Sequence, residues 1–186
     1  MTVESVSPAR RFAMIVLETD RLLFRNHQPE DLDPFCLLEA DPEVRRFVGG
    51  KPRTREAAER KFRRGLRKRG ASRLRLWATI LKENGRYIGH CGIYPHFRPG
   101  RPPVPNEGAL GFSLARQYWN RGLGTEAARA FVEFGFNELR LRRIVASVEV
   151  GNAASVHILE KLRFKLWRLE RIGRRSFYHL ELRNPS

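Results

Sequence analysis

The sequence predicts a single α+β domain built on a mixed, mostly antiparallel sheet. One reason is the tight turn Glu83-Asn84-Gly85 between two apolar runs, because an Asn-Gly pair favours the positive φ angles of a hairpin. A second reason is the helical spacing of Ala58, Phe62 and Leu66 in another segment. We expect about six or seven strands and about four helices.

The predicted strands are short apolar runs bounded by charged or turn-forming residues. Leu22, Leu23 and Phe24 form the apolar centre of the first strand, and Ile144 to Val150 alternates as a strand with one buried face does. A segment rich in Pro, Gly and Arg at 95–105 is predicted to be a loop. The predicted strands are 17–25, 74–81, 86–94, 107–115, 143–150, 164–169 and 177–182.

The predicted helices begin at residues that favour helix starts. Pro29 opens the first helix, which ends near Ala40 because Asp41-Pro42 interrupts it. Thr54 caps the second helix. The remaining two predicted helices are 125–138 and 152–162.

The composition limits the class of protein. The net charge of +16 over 186 residues implies attraction to polyanions such as RNA, DNA, acidic peptides or phosphorylated cofactors. No run is apolar enough to cross a bilayer, and the two cysteines, Cys36 and Cys91, stand alone, as free thiols in a reducing compartment do. We therefore expect a cytoplasmic protein without a membrane partner. Residues 1–13 are expected to be a disordered tail and 14–186 the folded domain.

The most informative segment is the turn at 119–127, Trp-Asn-Arg-Gly-Leu-Gly-Thr-Glu-Ala. Gly122 and Gly124 let the backbone turn tightly between a predicted strand and a predicted helix. The helix start presents unpaired N–H groups and the positive end of the helix dipole. The turn is therefore a candidate site for a phosphate group.

Three phosphate-bearing ligands compete for this turn. A nucleoside triphosphate requires a Lys-Ser or Lys-Thr after the glycines, which is absent here. Gly122, Gly124 and Ala127 match the dinucleotide pattern G-x-G-x-x-A, but bulky residues at 118–121 separate them from the strand, and hairpins precede them. A dinucleotide is therefore disfavoured, and the third candidate is coenzyme A.

Four segments, in order along the chain, resemble the motifs of the GNAT superfamily of N-acetyltransferases. The turn is similar to its motif Q/R-x-x-G-x-G/A, with Trp119 where Gln or Arg is usual. A Trp there is similar to W-G-K-G-Y-A-T-E-A in the Rim-type branch, which acetylates ribosomal-protein N-termini. Residues 17–25 resemble that branch's L-x-T-E-R-L-x-L-R and 88–93 its I-G-x-x-G-L. Residues 152–164 resemble N-x-x-S-x-x-x-x-E-K-x-G-F, with Arg163 in place of the glycine.

The resemblance implies acetyl-CoA as the co-substrate. It implies that backbone amides of the turn hold the pyrophosphate, that the end of the preceding strand orients the acetyl group, and that an asparagine bonds the pantetheine amides. The residues thus assigned to acetyl-CoA are Phe112, Ser113, Leu114, Arg121, Gly122, Leu123, Gly124, Thr125, Asn152 and Ser155. No His, Cys, Asp or Glu cluster has metal-ligand spacing, so no metal is expected.

Two side chains are predicted to move protons. Glu107 is the first choice as general base and Glu149 the second, and an exposed loop glutamate without a role is the alternative for Glu107. Many members of the superfamily use a tyrosine as the acid, but Leu159 occupies that position. The resemblance to the ribosomal-protein branch implies Ser155 as the substitute. A serine bonded to its own helix backbone is the alternative.

The predicted function is acetyl transfer from acetyl-CoA directly to a primary amine, most readily a protein N-terminal α-amine such as that of a ribosomal protein. The basic segments expected around the acceptor, including 31–69, favour an acidic or RNA-associated partner. A homodimer is an open alternative to a monomer, and His90 and His96 receive no role. The alternative function is a basic RNA- or DNA-binding protein that keeps this fold without transferase chemistry.

Overall fold

The computed structural model describes residues 15–67, 72–97 and 100–185, and the predicted tail at 1–13 lies outside them. The described residues build one eight-stranded sheet in the order β1-β2-β3-β4-β5-β6-β8-β7. All neighbouring strands are antiparallel except β5 and β6, which are parallel, so the predicted sheet type is confirmed. The strands are β1 (Ile15–Glu18), β2 (Leu22–Arg25), β3 (Arg75–Leu81), β4 (Arg86–Phe97), β5 (Pro103–Leu114), β6 (Arg143–Glu149), β7 (Lys165–Ile172) and β8 (Arg175–Arg183).

The described residues contain five α-helices, one more than predicted. The additional helix is the single turn at Pro42, which forms because the Asp41 carboxylate accepts a hydrogen bond from the Glu43 amide at 2.9 Å and thereby caps a new helix start. The helices are α1 (Leu32–Ala40), α2 (Pro42–Arg45), α3 (Arg55–Arg67), α4 (Leu123–Asn137) and α5 (Ala153–Lys161).

Two predicted segments differ from the structure. The single strand predicted at 17–25 is a hairpin, in which the Thr19 amide donates to the Leu22 carbonyl at 2.9 Å and β1 pairs with β2. The loop predicted at 95–105 is strand at both of its ends, because β4 continues to Phe97 and β5 begins at Pro103. Pro103 is tolerated because the first residue of a strand can lack an N–H donor.

The main core lies between the sheet and α4. Phe131 of this helix packs edge-to-face on Phe24 of β2, with 4.9 Å between ring centroids, and Trp77 and Ile88 are fully buried beside them. On the opposite face of the sheet, α1 and α3 enclose a second cluster that contains Phe35. Because α4 covers one face of the sheet and α1 and α3 cover the other, the central strands β3 and β4 are largely buried on both faces.

The parallel pair is short and opens a gap in the sheet. β5 and β6 pair only over Glu107–Ala109 and Arg143–Val145, and beyond these residues the strands separate. The carboxyl ends of both strands therefore border a cleft. None of the helices in the described ranges is long and apolar enough to cross a membrane.

Candidate functional site

The cleft between the separated ends of β5 and β6 has a volume of about 400 Å³. It is bordered by both strands, by the start of α5, by β3 and β4, and by the segment after α2. The lining residues are Phe47, Val48, Leu76, His90, Tyr94, Leu110, Gly111, Phe112, Ser113, Ala146, Ser147, Val148, Glu149, Asn152, Ser155 and Leu159. Four of the residues that the sequence assigned to acetyl-CoA thus line one cavity, namely Phe112, Ser113, Asn152 and Ser155.

The end of β5 offers backbone groups to the cleft. The Ala115 amide donates to the Ile88 carbonyl of β4 at 2.8 Å, so the alternate residues Leu114 and Phe112 direct their N–H and C=O groups to the side of β6. β6 has already diverged at these positions and cannot pair with them. The end of β5 can therefore hydrogen-bond a ligand that lies in the gap.

Trp119 fixes the last residue of this strand. Its indole Nε1 donates a hydrogen bond to the Leu114 carbonyl at 2.7 Å. The side chain that stands where the superfamily pattern has Gln or Arg thus ties the glycine turn to the end of β5. The Leu114 carbonyl has no partner on β6, and the indole satisfies it instead. The end of β5 is therefore held in place by Trp119 and not by a neighbouring strand.

The glycine turn forms the N-terminus of α4. Gly122 is the N-cap with φ of +75°, a left-handed conformation that a side chain would strain, and it provides no capping side chain. The helix starts at Leu123, earlier than the predicted 125, so the amides of Leu123, Gly124 and Thr125 form its first turn. These amides have no capping side chain and are the groups predicted to bind a phosphate, and Arg121 lies exposed beside them.

Gly124 allows α5 to approach α4. A Cβ at this position would lie 3.1 Å from Cδ1 of Ile158 on α5. This close packing brings the start of α5 to the cleft. There the Asn152 Oδ1 caps the helix by accepting a hydrogen bond from the Ser155 amide at 3.2 Å.

The Ser155 hydroxyl is available for a ligand. Its residue lines the cleft, and no described protein group forms a hydrogen bond with this hydroxyl. The alternative of a serine bonded to its own helix backbone is therefore not what the structure contains. Ser155 remains a predicted acid on these grounds.

The two candidate bases have different surroundings. Glu107 is absent from the cleft lining; its carboxylate contacts His96 Nδ1 at 2.8 Å and the Arg143 guanidinium at 3.2 Å. Partial burial raises the pKa of Glu107, but the His96 hydrogen bond and the Arg143 charge outweigh it and leave the pKa below its ordinary value. The alternative of an exposed loop glutamate is wrong, because Glu107 is an ion-paired strand residue with 15% of its side chain exposed.

Glu149 lines the cleft directly. Both of its oxygens are bound by the Arg175 guanidinium, one of them from Nε at 2.6 Å. The hydrogen bond from Arg175 holds the pKa of Glu149 below its ordinary value. The carboxylate is thus ionised and neutralised by a partner on β8.

His90 also faces the cleft but is fully enclosed on its other sides. Its Nδ1 lies 3.3 Å from the Tyr87 hydroxyl, and its ring packs against Phe35 at 6.0 Å between centroids. Burial, together with the charge of Lys61, moves the pKa of His90 well below its ordinary value, so the ring is neutral. His90 is a core residue, whereas His96 is the partner of Glu107.

A network that the sequence analysis missed supports the glycine turn. Glu126, in the first turn of α4, accepts hydrogen bonds from the Thr19 hydroxyl at 2.6 Å and from the Arg21 Nε at 2.6 Å. Arg21 Nη1 also donates to the Arg121 carbonyl at 2.9 Å. The Thr and Arg of the segment 17–25 are thus the residues that link the first hairpin to this turn. Within the described ranges, no group of His, Cys, Asp or Glu could hold a metal ion.

Comparison with known proteins identifies the same family over most of the chain. Residues 21–165 match the family model of the acetyltransferase (GNAT) domain. The chain is 32% identical over 149 residues to the uncharacterized protein YkkB of Bacillus subtilis, covering 78% of this chain and 83% of that protein. It is 29% identical over 153 residues to the uncharacterized N-acetyltransferase p20 of Bacillus licheniformis, covering 82% and 83%.

Solved structures share the fold. A GNAT-family acetyltransferase from Bacillus anthracis superposes with a TM-score of 0.77 at 20% identity, covering 90% of this chain and 97% of that one. Two Vibrio cholerae proteins are also similar. One is a spermidine N-acetyltransferase in complex with CoA and spermine, with a TM-score of 0.73, 14% identity and coverage of 89% and 96%. The other is a candidate ribosomal-protein-serine acetyltransferase, with a TM-score of 0.71, 16% identity and coverage of 94% and 98%.

Proposed function

The chain belongs to the acetyltransferase (GNAT) domain family, and from this premise we propose that it acetylates a protein N-terminal α-amine, such as that of a ribosomal protein, by direct transfer from acetyl-CoA. It is an N-acetyltransferase, as the named relatives and the structural neighbours are. The observation that carries the proposal is the cleft between β5 and β6, together with the N-terminus of α4, which follows β5 in the chain and has no capping side chain.

The residues present fit acetyl-CoA. The first-turn amides at 123–125 suit the anionic pyrophosphate, with Gly122 allowing its close approach and Arg121 adding charge. The backbone N–H and C=O of Phe112, the N–H of Leu114 and the side-chain NH2 of Asn152 suit the amides of the pantetheine arm. When bound, acetyl-CoA supplies the activated thioester, and the protein has to position it and move protons.

The acceptor amine has to lose a proton before it attacks the thioester carbonyl. A peptide α-amine has a pKa near about 8, so a weak carboxylate base that acts through water is sufficient. We assign this role to Glu107, whose lowered pKa keeps it ionised at neutral pH. Glu149, which lines the cleft, is the second candidate.

The leaving thiolate has to gain a proton. We assign this step to the Ser155 hydroxyl, because it faces the cleft from the start of α5 and has no hydrogen-bond partner among the described residues. Neither cysteine suits a covalent intermediate, since Cys36 and Cys91 are buried and burial raises the pKa of both thiols. Direct transfer in a ternary complex is therefore the mechanism we propose.

The acceptor class draws support from two sources. One is the likeness to the candidate ribosomal-protein-serine acetyltransferase. The other is the net charge of +16, which favours an acidic or RNA-associated partner over a polycation. The spermidine N-acetyltransferase neighbour makes a polyamine the second acceptor to test.

The first experiment measures thermal unfolding of the protein with saturating acetyl-CoA. At a hundredfold excess over Kd, binding stabilises the folded state by about 2.7 kcal/mol. Acetyl transfer is then measured by mass spectrometry with N-terminal peptides, spermidine and small amines. Stabilisation with transfer to peptides supports the proposal. Salt-sensitive RNA binding without any stabilisation by acetyl-CoA would instead support the nucleic-acid-binding alternative.

A further inference from the structure

The two faces of the sheet around the cleft differ in their side chains. Ile93 of β4 points to the face covered by α4, where it contacts Gly135, so the alternate residue Tyr94 points to the opposite face. Leu76 of β3 and Gly111 of β5 both pair with Gly92 and therefore share the face of Tyr94. The α4 and α5 side carries the groups proposed for acetyl-CoA, which leaves the Tyr94 side for the acceptor.

An apolar surface covers this second side of the cleft. Tyr94 and Leu76 lie over Gly111, where an added Cβ would be 2.9 Å from Cε1 of Tyr94 and 3.4 Å from Cδ2 of Leu76. Phe47 and Val48, from the segment after α2, border the same cavity. Tyr94 is 40% and Val48 42% exposed, so apolar area faces solvent here although the surrounding chain is strongly basic. We call these four side chains the apolar wall.

The wall adjoins the predicted point of transfer. Gly111, beneath the Tyr94 ring, immediately precedes Phe112, whose backbone groups face the gap between β5 and β6. A side chain carried by the carbon next to the acceptor nitrogen would therefore fall on this wall.

The charges in the cleft do not match a polycation. Among the described lining residues the one carboxylate is Glu149, and Arg175 already binds both of its oxygens. The Tyr94 hydroxyl is neutral at pH 7, because the ordinary tyrosine pKa of about 10 lies well above it and desolvation of this partly exposed side chain raises the pKa further. A second ammonium group on the acceptor would lose water here without gaining an unpaired carboxylate.

We infer that the acceptor carries an aliphatic or aromatic side chain next to its amine and that this side chain binds on the apolar wall. This inference rests on the proposed function, since it takes the cleft as the place of acetyl transfer. Discrimination by an apolar pocket is about tenfold or more for each methylene group that fills it. The wall therefore selects Leu or Phe over Ser at the first position of a peptide.

The test compares peptides that differ only in the first residue, Leu, Phe, Ser or Asp, together with isoamylamine, ethanolamine and spermidine. We expect kcat/KM to be at least about tenfold higher for Leu and Phe than for Ser, with isoamylamine above ethanolamine. Tyr94→Ala should remove this preference without changing the Kd for acetyl-CoA. Phe97→Ala is the matched control, because Phe97 is an exposed aromatic on the same strand outside the cleft.

Two results would overturn the inference. One is equal kcat/KM for the Leu and Ser peptides, and the other is a Leu preference that persists in Tyr94→Ala. If every peptide is inert and the small amines are acetylated, the proposed peptide acceptor is wrong. The ratio of isoamylamine to ethanolamine then decides the inference: equal rates contradict it, and a preference for isoamylamine supports it.

Discussion

The Thr19 hydroxyl donates a hydrogen bond of 2.6 Å to the Glu126 carboxylate, across 107 positions of the chain. The Arg21 amide donates to the same oxygen at 3.0 Å. Glu126 stands in the first turn of α4, so the hairpin at the start of the domain fixes the turn that is proposed to bind the pyrophosphate. We therefore predict that donor binding is coupled to the first hairpin through Glu126.

Replacing Glu126 with Gln should weaken this coupling. The amide cannot accept from Thr19 and pair with the Arg21 guanidinium as a carboxylate does, so we expect a loss of about 1–3 kcal/mol in the free energy of unfolding. The KM for acetyl-CoA should rise severalfold, with kcat little changed. Urea unfolding and steady-state kinetics measure both. Glu133→Gln, an exposed carboxylate on the same helix, is the control and should leave both values unchanged.

The contribution of Glu126 should depend on pH. Partial burial raises the pKa of Glu126, but hydrogen bonds from Thr19 and Arg21 outweigh it and depress the folded-state pKa. A depressed pKa stabilises the folded state above the unfolded value of about 4.3, and the stabilisation disappears as the pH falls through the folded-state pKa. The difference in unfolding free energy between the parent and Glu126→Gln should therefore be full at pH 7 and shrink below about pH 4. A difference that stays constant from pH 7 to pH 3 would contradict this assignment.

Local sequence signals predicted much of the fold. The Asn84-Gly85 turn, the presence of a helix after Gly122 and the strand β6 are each encoded by neighbouring residues and are found in the structure. The helix, however, starts at Leu123 and not at 125, and Val145 of β6 is buried along with its neighbours. The hairpin at Thr19 was missed because its turn contains neither Gly nor Pro and is formed by pairing with a distant strand. The strand at Pro103 was missed for the opposite reason, because the Pro and Gly residues of this segment predict a turn, whereas the pairing of Pro103 with Phe97 continues the strand.

The sequence predicted those parts of the candidate site that are formed by one continuous segment of the chain. The helix N-terminus proposed to bind the pyrophosphate depends on Gly122 and the helix after it, so the sequence was sufficient to propose it. The partners of Glu107, in contrast, are His96 and Arg143, which lie 11 and 36 positions away and meet it only through strand pairing. The catalytic roles of Glu107 and Ser155 remain predictions that require the measurements below.

Trp119→Phe should loosen the end of β5. The variant keeps an aromatic ring but removes the Nε1 hydrogen bond of 2.7 Å to the Leu114 carbonyl. Loss of one such bond is worth about 1 kcal/mol, so we expect acetyl-CoA to bind about fivefold more weakly by titration calorimetry. Trp167→Phe is a suitable control, because Trp167 is a partly exposed indole on β7 away from the cleft. Equal acetyl-CoA affinity in the parent and in Trp119→Phe would rule out this positioning role.

The pH profile of kcat/KM should identify the base. If Glu107 accepts the proton, Glu107→Gln lowers kcat/KM by about a hundredfold across the pH range, including its plateau above the amine pKa of about 8, whereas Glu149→Gln lowers the plateau far less. The reverse result would assign the base to Glu149, which lines the cleft. Circular dichroism of both variants is the control for folding, since each removes an ion pair, with Arg143 or with Arg175.

Ser155→Ala tests the acid. The Ser155 amide, not its hydroxyl, bonds the Asn152 cap, so the substitution should leave α5 and the acetyl-CoA Kd intact. If the hydroxyl protonates the leaving thiolate, kcat falls by about tenfold or more, because general acid catalysis contributes at least this much. The fall should be smaller with acyl donors whose leaving thiol has a low pKa, since such a thiolate leaves without a proton. Ser176→Ala on β8 is the matched control. Unchanged kcat in Ser155→Ala, or an equal fall with both kinds of donor, would remove Ser155 as the acid.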